Sequence, residues 1–267
     1  MIVSHRHRYV FVELPRTAST AISHELRDRY DGISILEKHS LYQRFLRDAS
    51  EDEKRYFVFS GIRNPLDDAV SRYFKLKTDH HDRFTNPVKA KYAVGTRRAE
   101  LAMRGDPDAI REVKARKRSP VDRLENRRFR YVAARGADFP TFLERYYRLP
   151  YDNWSRLSHR DFDLVIRFEH IQEDFAAVLR MLGIEQERPL PISNRTSDKE
   201  MAFWEYYSTP GSIERAKRVF GPFMERWGYA FPEAWGPSEV SAWDRFLFDA
   251  MAIPRSAYWR WFRGRKR

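Results

Sequence analysis

Four short apolar runs separated by helix-period sequence restrict this chain more than any other feature. YVFVEL (9–14), GISIL (32–36), YFVFSGI (56–62) and DLVIRF (163–168) read as buried strands, with amphipathic segments between or after them. That alternation predicts an α/β fold, a parallel sheet covered by helices. After the first run, Ile22, Leu26 and Tyr30 recur at i, i+4 and i+8 and give the following helix an inward face. After the third, Asn64 suits an N-cap and Pro65 the first helical position, while Asp67 and Asp68 complement the dipole of the first turn. The 267 residues show no repeat and no Gly/Ser linker, and 42% hydrophobic content suffices for one large core or two small ones.

Ligands of open α/β sheets bind beyond the carboxyl ends of the strands. Arg16 follows the first run, His39 the second, and Arg63 ends the third, so two cations and a proton acceptor are expected on one rim. In FVELPRTASTAI (11–22) a strand, a tight loop and a helix N-terminus come in succession, which aims N–H groups and a positive dipole at one point and suits an anion. Arg16 brings charge, Thr17, Ser19 and Thr20 bring hydroxyls, and the small Ala18 and Ser19 let backbone approach a ligand. The loop is not a Walker A sequence, since G-x-x-x-x-G-K-[ST] is absent. Taken alone, it is explained equally well by a Ser/Thr-capped helix beside a surface arginine.

The formal net charge of +12 points to an anionic partner: nucleic acid, a phosphorylated cofactor, an acidic polysaccharide or a membrane surface. The excess concentrates between residues 75 and 135, with 18 Lys/Arg against 8 Asp/Glu, either as a binding face or as solvated helical surface. With no cysteine, disulfides, thiol nucleophiles and cysteine zinc sites are excluded. Histidines at metal-binding spacing are not evident, so no metal is expected. Neither a secretion signal nor a membrane-spanning apolar run is found, and a soluble, cytoplasmic protein is expected.

Two motifs resemble those of a known superfamily. PRTASTAI (15–22) resembles the 5′-phosphosulfate loop of sulfotransferases that use 3′-phosphoadenylyl sulfate (PAPS), and is similar to the P-K-T-A-S-T-S form of the heparan sulfate 2-O-sulfotransferase family. IRNPLDDAVSRYF (62–74) resembles the superfamily's 3′-phosphate motif, R-[ND]-P-x-x-R/D-x-x-S-x-Y, with Arg63 and Ser71 at the gripping positions. FEHIQEDFAAVLRMLGI (168–184) resembles its F-E-x-L…D-F…L-G strand and helix, and LPISNRTSDK (190–199) its late loop returning to the nucleotide. FWEYYSTPGSIERAKRVFGPFMERWGY (203–229) resembles its closing helix. The likeness covers most of residues 9 to 230 and leaves the basic middle and the C-terminal tail unmatched.

The resemblance implies a P-loop-like three-layer sandwich, a central parallel sheet flanked by helices, with a helical insertion and a C-terminal helical tail. It implies a sulfotransferase domain over 1–235 with a basic acceptor-side insertion near 78–130, and an aromatic and basic extension over 236–267. PAPS would be the cofactor and 3′,5′-ADP the product, with transfer to a hydroxyl acceptor of the carbohydrate class, an anionic glycan suiting the basic insertion. Arg16, Thr17, Ala18, Ser19 and Thr20 would hold the phosphosulfate and Arg63 and Ser71 the 3′-phosphate, with Arg195, Thr196 and Ser197 closing over the nucleotide. Sulfuryl transfer, like phosphoryl transfer, asks mainly for in-line positioning and stabilised leaving-group charge. The family loop usually carries Lys where this chain has Arg16. An arginine, with a pKa above about 12, does not donate a proton but still neutralises charge.

His39 stands where the 2-O-sulfotransferase family has a histidine, and its ordinary pKa near 6.5 suits a general base. His80 and His81 are fallback candidates, His170 suits packing or capping, and Lys38 is either a ligand to acceptor or sulfate or a solvated surface lysine. The tail PRSAYWRWFRGRKR (254–267) mixes Trp, Phe and Arg, which fits a peripheral membrane contact, a second subunit in a homo-oligomer, or packing on its own domain. Two other functions stay open: a non-catalytic basic protein binding acidic polysaccharide or nucleic acid on the same fold, and a P-loop-type nucleotide kinase. The histidine beside both anion motifs favours the transferase, for which no nucleic-acid partner is expected. A kinase would want the missing Walker lysine and a magnesium-binding hydroxyl.

Overall fold

A computed structural model describes residues 1–36, 38–86, 88, 101–115, 120–154, 162–191 and 199–258, with backbone alone at 114 and 120–122. In chain order these residues form β1 (Ile2–Ser4), β2 (Tyr9–Val12), α1 (Ser19–Arg29), β3 (Ile33–Ser34), α2 (Tyr42–Asp48), β4 (Phe57–Ile62) and α3 (Pro65–Lys77). There follow α4 (Pro107–Ala115), α5 (Pro120–Phe129) running into a π-helical turn (Arg130–Ala134), and α6 (Phe139–Tyr146). The last elements are β5 (Leu164–Arg167), α7 (Ile171–Met181), α8 (Pro210–Trp227) and α9 (Ala242–Tyr258). The chain divides into two compact units, one of residues 1–68, 149–195 and 216–267, the other of 69–148 and 196–215.

The first unit holds a five-stranded open sheet in the order β3-β1-β2-β4-β5. The fold is α/β, but the sheet is mixed where a parallel one was expected. β2, β4 and β5 are parallel, with Val10 opposite Val58 and Ser60 opposite Val165, whereas β1 is antiparallel to both β2 and β3. β1 escapes the sequence pattern because three residues followed by the polar turn 5–8 are too short to show a period. GISIL shrinks to a two-residue edge strand, and Ile33 and Ile35 face solvent rather than a core. Because β1 inverts direction twice, β3 still runs the same way as β2, and its carboxyl end opens on the same rim.

Strands buried on both faces read as continuous apolar runs, and β2 is the example. Val10 and Val12 point into a cluster with Tyr42, Phe45, Val58, Trp154, Phe223 and Phe248. Tyr9 and Phe11 point the other way, into Ile22, Leu26, Tyr30, Phe59, Ile166 and Phe175. Full burial of each such side chain stabilises by about 1.5–3 kcal/mol, so the central strands anchor the site above them. The inward face read from Ile22, Leu26 and Tyr30 is fully buried.

The second unit packs Tyr73, Phe74, Phe139, Tyr206 and Tyr207 edge to face. Asp138 caps α6 by accepting from the Thr141 N–H at 2.9 Å. In the basic stretch Glu125 accepts from both Arg72 and Arg128. Burial foremost, then Arg72, lowers the Arg128 pKa despite Glu125. Part of the positive excess is thus consumed by internal pairing.

Candidate functional site

The loop after β2 is built to sit close against β4. Arg16 and Ala18 have φ of 68° and 56°, so Thr17 lies between two left-handed residues. Its hydroxyl donates to the Leu14 carbonyl at 2.9 Å. A Cβ on Gly61 would come within 2.8 Å of Thr17 Oγ1 and 3.1 Å of the Thr17 carbonyl, so β4 needs glycine where the loop crosses it. Ala18 stands at the N-cap of α1 with no side-chain cap, and the first α1 turn presents its N–H dipoles toward the loop.

Both arginines read from the sequence lie at this rim, each matched by an acid of α3. Arg16 Nε is 2.6 Å from Asp68 Oδ1, an ion pair by distance whose N–H is poorly aligned for a hydrogen bond. The Tyr151 hydroxyl donates to the other Asp68 oxygen. Arg63 donates from Nε and Nη2 to Asp67 Oδ2 at 2.8 and 2.6 Å, and its guanidinium lies 4.1 Å over the Phe168 ring. A longer contact, 3.4 Å, joins Arg63 Nη1 to the Arg16 carbonyl and ties the two segments together. Asn64 caps α3 as its sequence predicts, accepting from the Leu66 N–H, while its own N–H donates to Glu169. Glu169 also accepts from Tyr229, whose pKa burial raises strongly, with Glu169 adding to the rise.

His39 reaches the rim from beyond β3. Its Nδ1 lies 3.0 Å from the Glu13 carbonyl, and a carbonyl only accepts, so neutral His39 carries its proton on Nδ1 and its lone pair on Nε2. That is the tautomer a general base needs. Beside it Lys38 donates to Thr20 Oγ1 at 2.6 Å. Lys38 is an exposed residue, yet desolvation lowers its pKa, against Glu13, which raises it. Among the described residues no carboxylate stands within ion-pair distance of Lys38, so its charge is available at the N-terminus of α1.

Glu13, the break in the YVFVEL run, is a buried carboxylate that sequence reasoning did not assign. It accepts from the Met1 ammonium and from Ser23, each at 2.6 Å. Burial pushes its pKa up, but the ammonium, Ser23 and His39 outweigh that and hold it below the usual range. An acid inside an apolar strand was the available signal, since such a group survives only with partners.

Ser71 is buried on α3 in the second unit, which also holds the fallback candidates: His80 is half-buried and His81 exposed, in a short turn after α3, and their rings lie 3.9 Å apart. Burial foremost lowers the His80 pKa. His170 is exposed and makes no capping bond with its side chain. Arg195, Thr196 and Ser197 lie outside the described residues. No group of three or more metal-ligating side chains occurs among the described residues. A groove of about 860 Å³ between α8 and residues 229–240 is lined by Glu225, Glu233 and Glu239, with Arg245 as its one cation among the described residues. Its acidity does not suit an anion, and the chemistry of the rim, rather than concavity, marks the candidate site.

The sheet and its rim thus define an α/β protein with paired arginines, a lysine and a tautomer-fixed histidine at the carboxyl ends of its strands. No protein family, curated protein or solved structure matches the chain.

Proposed function

We propose that the chain is a sulfotransferase carrying the sulfuryl group of PAPS to an acceptor hydroxyl of the carbohydrate class, on a P-loop-like three-layer scaffold. One observation carries this reading: His39, held as the Nδ1–H tautomer, shares a rim with the 16–20 loop and with Arg63, the residues of the two motifs that resemble PAPS-binding sequences. The donor set fits a doubly phosphorylated nucleotide, with the α1 N-terminus, Lys38, the loop hydroxyls and two guanidiniums within one unit.

In this reaction the acceptor hydroxyl gives its proton to His39 Nε2 as its oxygen attacks sulfur. The bond from sulfur to the bridging phosphate oxygen breaks, and 3′,5′-ADP leaves with the electron pair. Arg16 and Lys38 neutralise the charge that develops on the leaving phosphate. Arg16 acts there as a fixed cation and not as an acid. Arg63 holds the 3′-phosphate, exchanging Asp67 oxygens for phosphate oxygens.

A non-catalytic basic protein binding acidic polysaccharide or nucleic acid is the second reading, favoured by one observation: both rim arginines already have carboxylate partners, which leaves the basic stretch as the place for a polyanion. Calorimetric titration with 3′,5′-ADP at moderate salt, where general attraction to a basic chain is screened, tests the nucleotide site. A dissociation constant in the micromolar range, weakened about tenfold or more in folded Arg63→Ala, is expected. No binding by the wild type rejects the transferase. His39→Ala separates the two readings. Nucleotide affinity should stay within about twofold while transfer from PAPS falls by about 10²-fold or more, and unchanged turnover removes His39 from the base role.

A further inference from the structure

We infer that α9 is a membrane-docking helix that lays its outer face on a bilayer containing anionic lipid. This does not depend on the sulfuryl-transfer reading. An ordinary surface helix turns its apolar stripe inward and its polar residues to water. α9 is anchored as expected: Phe248 enters the core, Arg255 donates to the Pro150 carbonyl, and Arg245 makes two 2.7 Å bonds to Glu225. Ser241 accepts from the Asp244 N–H at 3.0 Å and fixes the start of the helix. The opposite face is also apolar. Trp243, Phe246 and Ile253 are 66%, 60% and 74% exposed. At 100° per residue they fall within one arc of about 80°, roughly opposite Phe248, with Ala250 and Ala257 between them.

Those three side chains present an apolar surface on the order of 400 Å², the size at which a patch on a soluble protein signals a contact. The charge of the same segment selects the occupant. From Ala242 to Arg267 the chain carries seven Arg/Lys and two Asp, and the last nine residues, WRWFRGRKR, hold five of those cations, two Trp and one Phe without an acid. Apolar and indole groups on one helix face, in a segment whose following sequence is rich in cations, are complementary to the acyl boundary and headgroups of an anionic leaflet. A second copy of this chain carries the same net charge of +12, and that general repulsion opposes self-pairing. No described helix is long and apolar enough to cross a membrane, so the contact is peripheral.

Sedimentation of the full chain with vesicles tests the inference, using phosphatidylcholine alone and phosphatidylcholine with one third phosphatidylglycerol. Binding to the anionic vesicles should exceed that to the neutral ones by about tenfold or more. The triple variant Trp243→Ser, Phe246→Ser, Ile253→Ser keeps every charge and should lose about tenfold or more of that binding with an unchanged melting profile. If the triple variant fails to fold, Ile253→Ser alone, together with quenching of wild-type tryptophan by brominated lipid, decides the matter. Quenching, and weaker binding by Ile253→Ser, supports docking through α9. Equal binding by wild type and folded variant would assign the attraction to general charge and overturn the inference. So would absence of vesicle binding with a wild-type dimer that the variant converts to monomer, which would make the face a contact between copies.

Discussion

Glu13 ties the start of the chain and α1 to its carboxylate and the His39 segment to its backbone carbonyl. Its pKa is lowered in the folded state, so its contribution to stability is present above the ordinary carboxylate value of about 4.3 and is lost as pH falls through the lower folded value. Glu13→Ala should cost about 3–5 kcal/mol in urea titrations at pH 7, because it leaves a buried ammonium without its partner. The cost should shrink as the titrations are repeated toward pH 3, where the wild type loses the same charge; a pH-independent cost would assign the effect to packing. Asp67 and Asp68 show what single residues conceal. In sequence they look like complements to a helix dipole, and only folding reveals them as counter-ions to Arg63 and Arg16. The four-residue step from Arg63 to Asp67 hinted at the first pair, whereas Arg16 and Asp68 are joined by the topology of the sheet.

At the level of elements, the rim depends on how closely the 15–18 loop can approach β4. Gly61→Ala places a methyl against the Thr17 hydroxyl and backbone, and neither yields easily, since the hydroxyl is bonded to Leu14 and the residue is buried. We expect a loss of about 1–3 kcal/mol in denaturant titrations together with weaker 3′,5′-ADP binding, as for other overpacked sites. Unchanged stability would mean that the loop moves freely from the strand. The strongly periodic elements were legible from sequence: the inward face of α1, the Asn64 cap, and the runs that became β2, β4 and β5. β1 was not, because three apolar residues ahead of a polar turn carry no period. β3 was overread, because GISIL has the composition of a buried strand but pairs at an edge, where its isoleucines meet water. The expected meeting of Arg16, His39 and Arg63 did not need β3 to be buried. It needed only the direction of that strand, which β1 preserves by two inversions.

Across the whole molecule, the sheet grades from a sealed centre to open edges, and substitutions should follow that gradient. Phe59→Ala removes a ring touching Tyr9, Phe11 and Phe57 and should cost about 3–5 kcal/mol, whereas Ile33→Ala at the exposed edge should stay within about 1 kcal/mol. Equal losses in thermal or urea unfolding would contradict the observed strand order. Charge is distributed just as unevenly. The chain as a whole carries +12, yet the side chains of Arg16, Arg63, Asp67 and Asp68 at the rim sum to zero. In the proposed function a ligand entering there displaces carboxylates from both guanidiniums, with Lys38 adding one cation at the N-terminus of α1. On that proposal, occupancy should respond to ionic strength with a shallower slope than any binding of a polyanion to the basic stretch, and selectivity would come from matching the fixed donor geometry more than from the amount of positive charge.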